Sequence, residues 1–226
     1  MTHHRLPGGT DVSQMALFDP DALPATRVPD AEVLHELALQ GRLVQFPTDG
    51  DGGYLLHLFV NEAVPEQIKQ YCVTEDTLAG ELYLASGRIA FGGAESAFQQ
   101  FKPNAWIRSD ALVAPGRYNY VGYRTEIPDE IAEQAVRSDR TPAERWLGGA
   151  STIIILFSVC LCLVLALRGQ YFFVAGVLLA AYIAVRTVKR LPAYVALAAR
   201  LKEAQLELPS IVVEMHATGP LEKTLK

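Results

Sequence analysis

Cys72 with His57 as its base, or Ser86 or Ser109 with a distant histidine, are the side chains that nucleophilic catalysis would have to use. Such chemistry needs a base within hydrogen-bond reach of the nucleophile and a third group orienting the base, and no local signature around these residues supplies that. Cys72 therefore reads as a buried structural thiol. The five histidines, His3, His4, His35, His57 and His216, have no HxxxH or CxxC spacing, so no metal is expected. Asp49-Gly50-Asp51-Gly52 resembles the opening of a calcium loop, but Val60 stands eleven residues after Asp49, where that loop requires glutamate. A solvated turn explains it better. There is no GxxxxGK[ST] loop and no GxSxG elbow, and Gly92-Gly93 ends a strand without opening a helix. Glu75-Asp76, and Asp129-Glu130 near Glu126, read as turns and a helix start. The chain is expected to be no enzyme and to hold no cofactor.

The chemistry that remains is recognition. Phe98, Phe101, Trp106, Tyr118, Tyr120 and Tyr123 crowd one stretch with Arg108, Arg117 and Arg124, and aromatics with arginine are the residues enriched at protein interfaces. Trp106, Arg108, Arg117, Tyr118, Tyr120 and Arg124 are the candidate partner-binding residues. A strand here puts Tyr118, Tyr120 and Arg124 on one face and Val121 and Tyr123 on the other, so part of the set belongs to a core.

The elements that must carry these residues are legible in part. Asp30 caps AEVLHELALQ, a helix with Val33, Leu34 and Leu37 on one side and Gly41 at its stop. RLVQFPTDGDGGYLLHLFV reads as a hairpin around Thr48–Gly53, and GELYLASGRIAFGG as a tighter one around Ser86-Gly87, with Leu82, Leu84, Ile89 and Phe91 on its buried face. Pro65–Cys72 adds a helical turn or two. Further strands are expected at Ala105–Ser109, at Arg117–Arg124 after the Pro115-Gly116 turn, and at Ser210–His216. Met1–Asp30, broken by four prolines, reads as irregular and carries no secretory signal pattern; Met15 is a second candidate start.

Leu147–Leu167 holds no charge in 21 residues, enough at ~1.5 Å per residue to cross a hydrocarbon core of ~30 Å. After Arg168-Gly169-Gln170, Tyr171–Val185 is apolar again; it reaches only ~22 Å at the helical rise, so Arg186 and Lys189 must snorkel or the bilayer must thin. Arg137, Arg140 and Arg145 before the first segment, and Arg186, Lys189 and Arg190 after the second, place both termini on the cytoplasmic side. Small residues recur four apart, Ser158, Cys162 and Ala166 on one segment and Gly176, Ala180 and Ala184 on the other, and are expected to face each other. No Asp, Glu, Lys or His lies inside either segment, so neither offers an ion or proton path. Beyond Pro192, Tyr194, Leu197, Ala198, Leu201 and Leu208 make one apolar helical face that lies on lipid or returns to the N-terminal domain.

Residues 1–146 carry 21 Asp/Glu and 12 Lys/Arg, a net of −9, and residues 147–226 carry 4 and 8, a net of +4. The acidic part disfavours nucleic acid, and the basic tail suits anionic lipid. Cys72, Cys160 and Cys162 form no disulfide framework.

The architecture expected is α+β. It comprises an irregular segment 1–29, a sheet-rich cytoplasmic domain 30–127 for which a barrel is one form of closure, and a connector 128–146. A transmembrane helical hairpin 147–188 (147–167 and 171–188) follows, then an amphipathic helix and return strand, 191–226, that pack on the domain. The function expected is a protein-binding module anchored in the inner (plasma) membrane, an immunity or inhibitor protein in its concrete form. The alternative is a membrane-disrupting effector whose hairpin makes a homo-oligomer when the cytoplasmic domain senses a ligand. Partners on this reading are the lipid bilayer and a protein.

Overall fold

A computed structural model describes residues 2–24, 29–102, 104, 106–131, 134, 142–205 and 207–219. Arg137 and Arg140, used above for orientation, lie outside the described residues, as do Ala105 and the side chain of Arg145. The chain divides into two units, Met1–Ile127 with Leu208–Lys226, and Pro128–Glu207.

The first unit is built from nine described strands: β1 Thr2–Thr10, β2 Gln14–Phe18, β3 Leu43–Pro47, β4 Gly52–Val60, β5 Leu78–Leu84, β6 Arg88–Gly93, β7 Arg108–Leu112, β8 Gly116–Arg124 and β9 Ile211–Gly219. They form two sheets, ordered β1-β4-β9-β8-β5 and β3-β2-β6-β7. Side chains alternate across each strand, so each sheet sends one set inward. Leu6, Leu56, Leu58, Leu82, Tyr118 and Val213 from one meet Met15, Leu17, Val44, Phe46, Ile89 and Phe91 from the other in a single core. Helix α1, Ala31–Leu39, begins on Asp30, whose Oδ1 accepts from Val33 N at 3.0 Å, and it stops at Gly41 with φ +65°. Leu34 and Leu37 of α1 cover the outer face of the four-stranded sheet over Ala16, Phe18 and Ala90. Helix α2, Glu66–Lys69, lies in a loop whose Val64, Ile68 and Cys72 cover Phe59 and Val212 on the other outer face.

Four expectations change here. The segment 1–29 contains β1 and β2 rather than irregular chain; β1 pairs with β4 from Thr2↔Val60 to Thr10↔Gly52, and a start at Met15 would remove it. Its pattern was hidden because an edge strand exposes His3 and Arg5, tolerates Pro7, and replaces side chains with glycine where backbones meet. A Cβ on Gly9 would stand 2.4 Å from the Trp106 carbonyl oxygen. Neither expected hairpin is one. β3 and β4 belong to different sheets, as do β5 and β6, so both turns are arches that carry the chain across the sandwich. The barrel is replaced by two open sheets. Their seams are touched by isolated bonds, Gly9 N to Ile107 O at 3.1 Å and Tyr83 N to Gly41 O at 2.7 Å, rather than by ladders.

Strand β9 occupies the middle of the five-stranded sheet, parallel to β4 and antiparallel to β8. Val212, Val213 and Met215 are fully buried. The last described strand thus completes a sheet begun by the first.

The second unit contains α3 Pro142–Leu167, α4 Tyr171–Arg190 and α5 Pro192–Gln205. Two helical stretches, Gly148–Leu167 and Tyr171–Arg190, are long and apolar enough to cross a membrane. Their shielded residues recur every three or four positions: Ile154, Ser158, Cys162 and Leu165 on α3, and Val174, Val177, Ala181, Ala184 and Val188 on α4. The six residues expected in a small-on-small seam separate by exposure. Ser158, Cys162, Ala166 and Ala184 are shielded, whereas Gly176 and Ala180 are exposed and a Cβ on Gly176 would meet nothing within 4 Å. Valines of α4 take the facing positions, because the α4 stripe is rotated from the small-residue row. Helix α5 falls in the second unit, where Arg200 pairs with Glu144 and Leu197 is buried.

Candidate binding cleft

One end of the sandwich brings together the Thr48–Asp51 arch and the Glu75-Asp76 turn. The Thr48–Asp51 arch is pinned there by Ser13, whose N and Oγ both donate to Asp51 Oδ1 at 2.9 Å, and by Tyr54 OH, which donates to Gly50 O at 2.7 Å. Beside this arch the ends of β5, β8 and β9 leave a cleft of about 420 Å³. Its floor is apolar: Phe46, Leu78 and Ile211 surround Gly122, and a Cβ on Gly122 would stand 2.8 Å from Phe46 Cε1. Glycine at this inward position of β8 is what lets the Phe46 ring lie against the strand, and the missing side chain deepens the cleft.

The rim is charged. Arg124 ends β8 with its guanidinium between three carboxylates, Asp49 at 2.6 Å, Glu126 at 3.0 Å and Asp76 at 3.4 Å. Asp49, Glu75 and Asp76 line the cleft with Arg124 as the one cation of its lining. The Asp49 and Asp76 side chains are 87 % and 56 % exposed, so these pairs are screened and each contributes about 0–1 kcal/mol. The cleft keeps a negative field, which suits a positively charged ligand group.

The six residues singled out in sequence separate. Arg124 lines the cleft, with Tyr120 four residues back on the same inner face, packed against the core and its phenol pushed up by burial. Tyr118 is 1 % exposed, a core residue donating its OH to Ala114 O; burial raises its pKa as well. Arg108 is also 1 % exposed. Its Nε donates to Asp110 Oδ1 at 3.1 Å and its Nη1 to Ser96 O at 3.2 Å, while the Phe18 and Phe101 rings flank its guanidinium at 5.8 and 5.1 Å. Burial pulls its pKa down against Asp110. Asp110 also accepts a hydrogen bond from Arg88, which raises the Arg88 pKa, and Arg88 reaches Asp21 at 3.3 Å as well. Neither Arg108 nor Tyr118 offers surface to a partner; an arginine flanked by aromatics is here a core brace. Trp106, 85 % exposed, and Arg117, paired to Glu81 at 3.9 Å, remain at the surface.

The nucleophile candidates are also placed. Cys72 Sγ contacts Ile68 O at 3.7 Å and its pKa is raised by burial, which depletes thiolate. His57 is 1 % exposed, with the His3 ring edge-on at 4.8 Å. Ser86 Oγ and N both donate to the buried Asp19 at 2.7 Å, fixing the β5–β6 arch, and Ser109 Oγ donates to Pro7 O. Among the described residues no group of three His, Cys, Asp or Glu is placed to hold a metal ion. Sequence reasoning missed the cleft because Asp49, Asp76 and Arg124 lie on three separate loops or strand ends. The Asp49-Gly50-Asp51 and Glu75-Asp76 runs were visible as turns and Arg124 as a candidate binding residue, but nothing in the sequence joined them.

No family model matches the chain, and no curated protein matches it. Among solved structures, a protein described as crocagin biosynthetic gene J is 15 % identical over 55 % of this chain and 79 % of its own, with a TM-score of 0.41. ComJ of Bacillus subtilis, described as an inhibitor of the DNA degrading activity of NucA, is 14 % identical over 59 % of this chain and 84 % of its own, with a TM-score of 0.31. At these values neither likeness bears on function.

Proposed function

We propose that this chain is a binding protein held in a plasma (inner) membrane by α3 and α4, whose sandwich recognises a protein partner and performs no catalysis, in the manner of an immunity or inhibitor protein. The observation that carries the reading is the surface of the two apolar helices. Phe157 is 70 % exposed, Leu163 60 %, Phe172 90 % and Leu179 61 %, and no protein covers them in the unit they belong to. Contiguous apolar surface on this scale marks a membrane or an interface, and the all-round apolar character of both helices favours lipid. Arg186, Lys189 and Arg190 at the end of α4 favour a cytoplasmic position for that end, with the Arg168–Gln170 turn on the opposite side. On the sandwich, the cleft with an apolar floor and charged rim has the composition of a recognition site, and Cys72, His57 and Ser86 are engaged in packing and turns.

The test is alkaline carbonate extraction of native membranes followed by detergent solubilisation and affinity purification of the intact chain. The expected result is retention in the carbonate-resistant fraction and one protein recovered at stoichiometric ratio. Release by carbonate would overturn the anchor, and recovery of the chain alone would overturn the binding role. A second reading is an effector whose helices associate between copies. It is favoured by one observation, that Gly176 and Ala180 point away from the hairpin's own seam.

A further inference from the structure

The cleft adjoins an open sheet edge. β5 is the outer strand of its sheet, paired to β8 on one side only. Tyr83 N points away from β8, since it donates to Gly41 O at 2.7 Å, and backbone groups in an antiparallel strand alternate with period two. Glu81 and Ala79 therefore turn their N–H and C=O groups to the same outer side. Gly41 covers that edge at Tyr83 and at the Glu81 carbonyl, whose oxygen is 2.9 Å from where a Gly41 Cβ would stand, which leaves Ala79 and the Glu81 N–H open; the side chains of Ala79 and Glu81, and Gly80, are exposed. An exposed run of this kind is a template for another strand. Leu78, the next residue, already lines the cleft.

Resting on the binding role argued above, we propose that the β5 edge and the cleft together dock an extended segment of the protein partner that carries a basic side chain. The segment adds as a short strand at Ala79 and the Glu81 N–H, where main-chain hydrogen bonds supply affinity and an alternate side chain enters the neighbouring pocket. The pocket selects its charge. Arg124 offsets one of the three carboxylates around it, Glu75 lines the same cleft, and Glu81 on the edge is paired to Arg117. A cation enters this field favourably, whereas an acidic side chain would be repelled. The aliphatic stem of a lysine or arginine fits the floor of Phe46, Leu78 and Ile211 while its head stays at the rim. Arg124 occupies the same carboxylates as an internal counterpart of the incoming group, so it competes with the ligand rather than assisting it.

The test uses the full chain in phosphatidylcholine nanodiscs, which carry no net lipid charge, and a fluorescent nonapeptide probe, acetyl-Thr-Thr-Thr-Val-Arg-Val-Thr-Thr-Thr-amide, read by polarisation. The arginine probe is expected to bind at least tenfold more tightly than the same peptide with glutamate at its centre. N-methylation at alternate probe residues, which removes strand hydrogen bonds without touching the protein, should weaken it about tenfold. Asp49→Asn with Asp76→Asn should also weaken it about tenfold, and Arg124→Gln should strengthen it several-fold, the sign that a purely structural arginine would not give. Equal binding of the arginine and glutamate probes, no effect of N-methylation, or loss of affinity in Arg124→Gln would each overturn the proposal. Loss of probe binding as protein concentration rises, with dimer formation, would assign the edge to a second copy and overturn it too. A stoichiometric native partner retained by Asp49→Asn/Asp76→Asn and by Ala79→Pro would sink this inference while leaving the binding role standing, whereas absence of any partner would sink both.

Discussion

Ending the chain at Glu207 deletes β9, and the structure predicts that this unfolds the sandwich rather than trimming it. Ile211 is 4 % exposed, and Val212, Val213 and Met215 are fully buried. Burying such side chains stabilises by ~1.5–3 kcal/mol each. The four together contribute about 6–12 kcal/mol, an upper bound because denatured chains are already partly compact. Domains of this kind are stable by only ~5–15 kcal/mol. The deletion also strips partners from Leu56–Val60 of β4 and from Arg117–Arg124 of β8, leaving two internal edges and opening the core between them. Hydrogen exchange of the truncated chain in detergent, read by mass spectrometry, should show β4 and β8 amides unprotected. A peptide of residues 208–219 added in trans should restore protection. Protection of β4 in the truncated chain within twofold of the intact protein would refute the reasoning, since a sheet that survives without its central strand is not built as described.

Arg108→Met should lower sandwich stability by about 3 kcal/mol, the lower end for breaking a buried ion pair, because Asp110 keeps Arg88 while the Ser96 carbonyl loses its donor. A urea midpoint indistinguishable from the parent would argue against the brace. Burial pushes the Glu214 carboxyl up, but hydrogen bonds from His216 at 2.7 Å and Val64 N at 3.1 Å outweigh it and hold its pKa below the ordinary value. Its contribution is thus present above the unfolded-state pKa and lost as pH falls through the lower folded value. Glu214→Gln should lose stability at neutral pH yet show a smaller further loss on acidification, checked by urea titrations at neutral pH and about pH 3. Cys162→Phe should loosen the α3–α4 pair by overpacking a shielded position, about 1–3 kcal/mol. Gly176→Leu should leave it intact, because nothing lies within 4 Å of a Cβ there; equal thermal shifts for the two variants would contradict the assigned seam. Finally, Gln170→Cys should react with an impermeant maleimide from the face opposite to Glu203→Cys. Labelling of both from one side would reverse the topology argued from charge.

Local signals were legible wherever one element carried its own rule. Asp30 announced a helix start through its side-chain oxygen, Gly41 its stop, and the uncharged run after Trp146 a helix apolar on every face. Inward positions were equally readable, since Leu82 and Leu84, and Ile89 and Phe91, fall at every second position and all four are buried. What alternation could not decide was the partner of each strand. A hairpin and an arch bury the same residues, one by folding them onto a single face and the other by setting them across a core, so Ser86-Gly87 reads alike in both. The choice was made by distant contacts: Asp19 holds the Ser86 turn, and β8 and β2 claim the two strands that flank it. The same limit hid β1, whose exposed His3 and buried Gly8 and Gly9 make sense only beside β4 and β7.

The candidate site divides along that line. That Arg124 carries charge at a strand end was visible in sequence, but its three carboxylates come from positions separated by up to 77 residues, Asp49 to Glu126. That Arg108, of the same residue type and sixteen positions earlier, is a buried brace was not visible, because burial depends on Phe18, Ser96 and Phe101 arriving around it. Periodicity, caps and hydropathy act over a few residues and are written in the chain itself. Strand order, the cleft and the fate of each arginine depend on which segments close loops of tens of residues, and that was decided only when the two sheets packed.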